Sequence, residues 1–74
     1  MGNVYKVDVL ALCRARGWHI ESDGGAADGW TARVGVWNDR LGDYDTIAEE
    51  SAHSRHRARM AAYRAALKAK GERD

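Results

Sequence analysis

This chain of 74 residues has no proline, no phenylalanine and a single cysteine, and it has no long apolar run. One cysteine, Cys13, rules out an internal disulfide and a zinc site built on several cysteines. No apolar stretch approaches the roughly 20 residues of a membrane-spanning helix, so insertion into a membrane is not expected. The length leaves no room for a second domain or for the βαβ series of a nucleotide-binding enzyme.

The composition is that of a small globular domain. Apolar residues make up 45% and charged residues 31% of the chain, which is too apolar for a disordered tail. The first apolar stretch follows no basic segment and is interrupted by Lys6 and Asp8, so a signal peptide is not expected. We therefore expect a soluble protein of the cytoplasm that does not contact membranes.

Alanine supplies much of the apolar content, with 13 alanines in the chain. A core of this kind depends on close backbone approach and on a few large side chains. The candidate anchors are Trp18, Trp30, Trp37, Tyr44 and Tyr63. Among them, Trp18 and Trp30 are expected in the core, and Trp37 is expected on the strand face opposite Trp30.

The first part of the chain predicts a helix over residues 4–16. Its apolar side chains recur at helical spacing, and Arg14 and Arg16 precede Gly17, a residue that commonly ends helices. The β-branched residues near the start leave a strand over residues 4–10 as an alternative.

The middle of the chain predicts three strands. Residues 18–21 alternate between apolar and polar, and the turn-forming residues 22–29 follow them. Residues 30–37 alternate most clearly, and residues 38–43 are typical of a hairpin connection. A third strand from residue 44 to about residue 51 is expected to pair back.

From Ser54 onwards the period becomes helical, with Ser54 as the N-cap and an end near Gly71. The small-residue stripe is predicted at Ala58, Ala62, Ala65 and Ala69, and Met60 and Leu67 lie away from it. The fold class is therefore α+β in the order α-β-β-β-α. We expect a three-stranded antiparallel sheet with both helices packed on one face. It forms one domain over residues 4–70, with loose termini at 1–3 and 72–74.

The charge is distributed unevenly along the chain. Residues 1–52 carry five Lys or Arg and nine Asp or Glu, whereas residues 53–74 carry seven and two. The basic part begins with His53-Ser54-Arg55-His56-Arg57-Ala58-Arg59. Guanidinium groups and backbone N–H groups at a helix start can hold phosphates. The alternative is a solvated helix face whose arginines keep an alanine-rich helix soluble.

Other chemistry is not indicated. His53 and His56 have no further metal ligand beside them in the sequence, so no metal site is expected. Cys13 lies on the predicted core face without a neighbouring base, which favours an inert thiol. The five aspartates of the loops are interpreted as turn formers: Asp23, Asp28, Asp39, Asp43 and Asp45. With no nucleotide-binding or metalloprotease motif, neither enzyme activity nor a cofactor is expected.

The order of elements and the last helix resemble a double-stranded RNA-binding domain. That family opens its second helix with Ser-Lys-Lys-x-Ala-Lys, and here the corresponding residues are Ser54-Arg55-His56-Arg57-Ala58-Arg59, followed by Ala61-Ala62 and Ala66-Leu67. The first helix ending at Arg14-Ala15-Arg16-Gly17-Trp18 and the strand over residues 30–37 fit in order and spacing.

This resemblance, which spans roughly residues 4–70, implies non-catalytic binding of structured or double-stranded RNA, or of another nucleic acid duplex. The nucleic-acid-binding residues it implies are Ser54, Arg55, His56 and Arg59. In the family, Arg55, His56 and Arg59 would correspond to the groups that grip phosphates across the major groove, with little reading of bases.

The chain departs from the family pattern at three places. Glu50 and Ala52 stand where the family has glycines, and His56 stands where it has a lysine. The turn at residues 22–29 lacks the Pro and His that the family places in the minor groove and contains two aspartates.

A weaker resemblance is to the small accessory proteins of bacteriophages, including the phage αβα-sandwich group. It implies a phage or mobile-element protein that binds a host protein, such as a CRISPR or other defence component, without nucleic-acid activity. The acidic first two-thirds of the chain and an exposed Trp37 suit such a protein-binding surface.

Overall fold

The computed structural model describes residues 8–25 and 27–71. The elements in chain order are α1 (Val9–Ala15), β1 (His19–Gly25), β2 (Gly29–Asn38), β3 (Asp43–Ala52) and α2 (Arg55–Ala69). The predicted α-β-β-β-α order and the α+β class are therefore confirmed. Within the described residues, neither helix has the length and apolar character needed to cross a membrane.

Helix α1 begins at Val9 because Asp8 caps it, with Asp8 Oδ1 accepting a hydrogen bond from the Ala11 N–H at 3.1 Å. Gly17, with φ of 74°, follows the end of the helix as predicted. The earlier part of the predicted helix, like the alternative strand, falls mainly on residues that lie outside the described ones. The same holds for the termini expected to be loose, residues 1–3 and 72–74.

The three strands form an antiparallel sheet in the order β1-β2-β3, with β2 in the centre. Ile20 of β1 faces Val34 of β2, and Val34 faces Ala48 of β3. A β-bulge follows, because Gly35 pairs with Thr46 and leaves Ile47 as an extra residue in β3.

Strand β1 is longer than predicted, and the expected turn over residues 22–29 is wrong in its first half. Residues 22–25 continue the strand and pair with β2, ending with Gly25 opposite Gly29. Two glycines allow this narrow reversal, since Gly24 and Gly29 have φ of 138° and 79°. Pairing with a long central strand thus overrides the local turn preference of these residues.

Helix α2 lies across all three strands, and α1 contacts α2 and β1, so the two helices and one sheet face share a core. The buried residues are Val9, Cys13, Trp18, Ala32, Val34, Ala58, Ala62, Tyr63, Ala66 and Leu67. The three fully buried alanines of α2, Ala58, Ala62 and Ala66, bring the helix backbone close to the sheet, as the small-residue pattern predicted.

The buried face of α2 differs from the predicted stripe in its second half. Ala58 and Ala62 are buried as expected, but the stripe continues through Ala66 and Leu67, while Ala69 is exposed. Alanines on every side of a helix carry little information about which side faces inward. Leu67, at 1% exposure, and Tyr63, at 7%, are the large side chains of α2 that are buried, and removing their apolar surface from water favours this orientation.

The aromatic residues divide between two sides of the sheet. Trp18 and Tyr63 are buried and meet edge to face at 6.0 Å, whereas Trp30 is only partly buried against the core. Trp37 and Tyr44 are 54% and 43% exposed, so their assignment as core anchors is wrong. Trp37 lies on the strand face opposite Trp30, as predicted, and neither α1 nor α2 covers that face.

Gly35 at the bulge offers a test of the sheet geometry. A Cβ atom there would lie 2.7 Å from the backbone oxygen of Asp45, so we expect Gly35→Ala to lower the free energy of unfolding by roughly 1–3 kcal/mol. At Gly25 a Cβ would meet nothing within 4 Å. Urea unfolding of Gly25→Ala should therefore show little loss, and equal losses in the two variants would contradict the bulge.

Candidate nucleic-acid interface

Ser54 begins the candidate interface as the N-cap of α2. Its backbone is extended, with φ of −129°, and its Oγ accepts a hydrogen bond from the Arg57 N–H at 3.2 Å. This confirms the predicted cap and explains why the helix starts at Arg55. Ser54 therefore fixes the direction in which the first helical side chains leave the backbone.

Arg55 is held by an aromatic ring from the central strand. Its guanidinium carbon lies 4.4 Å from the centre of the Trp30 ring, which is cation–π geometry. A guanidinium that stacks in this way has its N–H donors in its own plane, around the edge of the stack. Trp30 thus orients Arg55 without using the donors that grip a phosphate.

Arg59 lies one helical turn further along the same side of α2, about 6 Å from Arg55 along the helix axis. Its Nε donates a hydrogen bond to Ser22 Oγ at 3.3 Å. Ser22 belongs to the part of β1 that was predicted as a turn. The contact occupies one of the five N–H groups of the guanidinium. The neighbouring strand therefore positions Arg59, and the contact with Ser22 uses only one of its N–H donors.

Arg16 extends this series, although its distance from Arg55 in the sequence gives no sign of it. It follows α1, and its Nε donates to the Tyr63 hydroxyl at 3.0 Å. Its guanidinium also lies 5.4 Å and 5.8 Å from the ring centres of Trp18 and Tyr63. Tyr63 lies one helical turn beyond Arg59. The guanidinium that Tyr63 holds, that of Arg16, is therefore the next one along α2 after those of Arg55 and Arg59. We refer to Arg16, Arg55 and Arg59 as the arginine row.

His56 is exposed and lies next to Arg55, about a quarter of a turn around α2. His53 precedes the helix and lines a depression of about 430 Å³ together with Asp28, Thr31 and Ser51. The structure therefore brings the predicted residues Arg55, His56 and Arg59 to one part of α2. It also places the acidic side chain of Asp28 near the start of the helix.

Glu50, the acidic residue at a family glycine position, lies on β3 directly opposite Ala32. Strand β2 separates it from β1, whose Ser22 contacts Arg59. The opposite side of α2 carries Arg57, Arg64 and Lys68, all of them exposed. Arg57 and Lys68 therefore provide basic residues of the same helix for comparison with the arginine row.

The remaining candidates are Cys13 and the potential metal ligands. Cys13 is fully buried, and burial raises the pKa of its thiol, while the nearby Arg16 opposes that shift more weakly. A raised pKa keeps the thiol protonated and unreactive at neutral pH. Among residues 8–25 and 27–71, no three His, Cys, Asp or Glu side chains are grouped so that they could hold a metal ion.

The α-β-β-β-α order agrees with the fold implied by the resemblance to double-stranded RNA-binding domains, but membership of that family stays a prediction. Function has to be inferred from the residues themselves. No protein-family model matches this sequence, and comparisons with curated proteins and with solved structures give no match either.

Proposed function

We propose that the protein is a non-catalytic binding module for structured or double-stranded RNA, or for another nucleic acid duplex. The ligand would contact the arginine row and His56 at the start of α2. The observation that carries the proposal is the fixed placement of Arg55 on Trp30 and of Arg59 on Ser22. No cofactor and no metal ion take part.

Orientation of the arginines supports the proposal because it lowers the cost of binding. An arginine that is free in solution loses side-chain entropy when it grips a phosphate, typically about 0.5–1.5 kcal/mol. Arg55 and Arg59 have already lost part of that freedom through their contacts with Trp30 and Ser22. Their guanidinium groups also match phosphate geometry better than an ammonium group does.

The charge of the C-terminal part supports the same ligand. Residues 53–74 carry seven basic and two acidic residues, which favours association with a polyanion. Side chains that contact phosphates position a protein on a duplex without reading its sequence. We therefore expect binding that depends on duplex shape and charge and that varies little between sequences.

The double variant Arg55→Ala/Arg59→Ala tests this proposal. Loss of two phosphate contacts should weaken binding to duplex RNA at least tenfold at about 50 mM salt, similarly for all sequences. The slope of log affinity against log salt should fall by about 1.8, at 0.9 per phosphate on the B-DNA calibration. Fluorescence anisotropy at several salt concentrations measures both, with a labelled duplex longer than the roughly 16 base pairs that such domains span.

The matched control is Arg57→Ala/Lys68→Ala, which removes the same charge from the opposite side of α2. Circular dichroism checks the folding of both variants, since Arg55 and Arg59 each make a contact with the sheet. The proposal fails if the unchanged protein shows no affinity near 50 mM salt, where phosphate contacts are strongest. An equal loss in the control variant would assign binding to overall charge.

A further inference from the structure

The sheet face opposite α1 and α2 carries three rings at one end. The His19 and Tyr44 rings stack with centres 4.2 Å apart and an interplanar angle of 18°. Trp37 meets Tyr44 edge to face at 5.1 Å and 75°. These residues come from all three strands, and we refer to His19, Trp37 and Tyr44 as the aromatic patch.

The aromatic patch is exposed although the domain has few large apolar side chains. Trp37 is 54% exposed, and Leu41, in the turn that follows β2, is 67% exposed. Aromatic residues are enriched in the cores of protein–protein interfaces, where their large surfaces are removed from water. A tryptophan, a tyrosine and a leucine at one end of an open sheet face therefore indicate an interaction surface.

Hydrogen bonds hold the turn beside the aromatic patch in one conformation. The Trp37 Nε1–H donates to Asp39 Oδ1 at 2.6 Å, and the Asn38 side-chain amide donates to Asp45 at 2.8 Å. Asn38 Oδ1 also accepts from the Arg40 N–H at 2.9 Å. A surface that is ordered before binding loses less entropy when a partner docks.

The charge around the aromatic patch is negative. Among the described strand residues, Arg33 is the only lysine or arginine on this sheet face, and it is paired with Glu21 at 2.9 Å, Glu49 at 3.4 Å and Asp23 at 4.0 Å. Glu21 also lies 3.5 Å from Nε2 of His19. At the turn between β2 and β3, Asp39 accepts the Trp37 Nε1–H, Asp43 lines a depression shared with Tyr44, and Arg40 adds one guanidinium. Asp45 pairs with Val36 and so lies on the helix side of the sheet. Five carboxylates therefore lie around two guanidinium groups on this side, which repels phosphates and attracts cations.

A depression of about 260 Å³ lies beside the rings. Its lining comprises His19, Tyr44, Gly35, Thr46, the acidic residues Glu21 and Asp43, and Arg33, whose guanidinium is paired with Glu21. The absence of a side chain at Gly35 leaves its floor open. Sites for drug-sized ligands are about 300–1,000 Å³. The depression is thus suited to one long side chain and too small for most cofactors.

We propose that this face docks an arginine- or lysine-bearing segment of a partner protein, with one basic side chain against the aromatic patch between Glu21 and Asp43. Ring faces attract cations through their quadrupole, and the flanking carboxylates add charge complementarity. The surface lies on the sheet face opposite the helices, so this inference stands independently of duplex binding by the arginine row.

Nuclear magnetic resonance of the full chain tests the proposal with a defined probe, the peptide acetyl-Gly-Arg-Gly-Arg-Gly-amide. We expect saturable shift changes at residue 19 and over residues 35–46, and none from the matched peptide with glutamates. Trp37→Ala should weaken binding about threefold because it removes a ring that attracts the cation, and Asp43→Asn should weaken it to a similar extent because it removes a neighbouring carboxylate. Glu50→Gln, which removes one charge from the helix side of the sheet, should leave binding unchanged.

Three results would overturn the proposal. If Glu50→Gln and Asp43→Asn weaken peptide binding equally, the peptide is attracted by the net charge of the protein and has no specific site. Shift changes at the aromatic patch on addition of duplex RNA would assign this face to nucleic acid. Concentration-dependent shifts at the same residues without peptide, together with elution as a dimer, would show that a second copy of the chain occupies it.

Discussion

Replacing Trp18 with alanine is expected to lower the free energy of unfolding by about 3–5 kcal/mol, the usual cost of truncating a buried tryptophan. Trp18 is 8% exposed, packs edge-on against Tyr63 and contacts the guanidinium of Arg16. Native proteins are typically stable by about 5–15 kcal/mol, and a domain this small lies near the lower end, so this loss removes most of its stability. Urea unfolding followed by far-ultraviolet circular dichroism measures the effect.

Trp37→Ala is the matched control, since it removes the same side chain from the open sheet face. Trp37 is 54% exposed and makes one side-chain hydrogen bond, to Asp39, so the expected loss is about 1 kcal/mol or less. If Trp18→Ala is too unstable to measure, Trp18→Phe should give an intermediate value. Similar losses in the Trp18 and Trp37 variants would mean that the two sheet faces are assigned incorrectly.

Leu67→Ala should have the second-largest effect on stability, a loss of about 2–5 kcal/mol. Leu67 is 1% exposed and is the largest fully buried side chain of the described residues. Its truncation leaves a cavity between α2 and the rest of the core, which a closely packed alanine face cannot easily fill. In a thermal melt this corresponds to a fall of roughly 10 °C or more, at 4–8 °C per kcal/mol for a domain of this size.

Leu41→Ala provides the comparison at an exposed leucine. Leu41 lies in the turn between β2 and β3 and is 67% exposed. The melting temperature of the Leu41→Ala protein should therefore stay within about 2 °C of that of the unchanged protein. A large loss at Leu41, or none at Leu67, would show that the buried side of α2 is assigned to the wrong residues.

The sequence predicted the features that depend on neighbouring residues. The sequence identifies Ser54 as an N-cap and Gly17 as a helix end because caps depend on hydrogen bonds and dihedral angles within a few residues. The alternation over residues 30–37 predicted β2 because side chains of a strand point to opposite faces in turn. The spacing of Arg55 and Arg59 predicted that both lie on one side of α2, because residues four apart are neighbours on a helix surface.

Local sequence patterns did not predict the features that depend on contacts between distant segments. Residues 22–25 have the composition of a turn, yet pairing with β2 makes them strand. In α2, alanines on several sides left the buried face undecided until Leu67 packed into the core. The division of the aromatic residues between a covered and an open sheet face likewise depended on where the helices pack.

For the candidate interface, the sequence by itself determined which residues are basic and that Arg55, His56 and Arg59 share one part of a helix. Only the tertiary structure decided what holds them. Ser22 meets Arg59 across 37 residues of chain, and Tyr63 meets Arg16 across 47. The aromatic patch also unites three strands. Helical and strand periods extend over a few residues, whereas these contacts form because hydrophobic burial brings remote segments together, which no local pattern records.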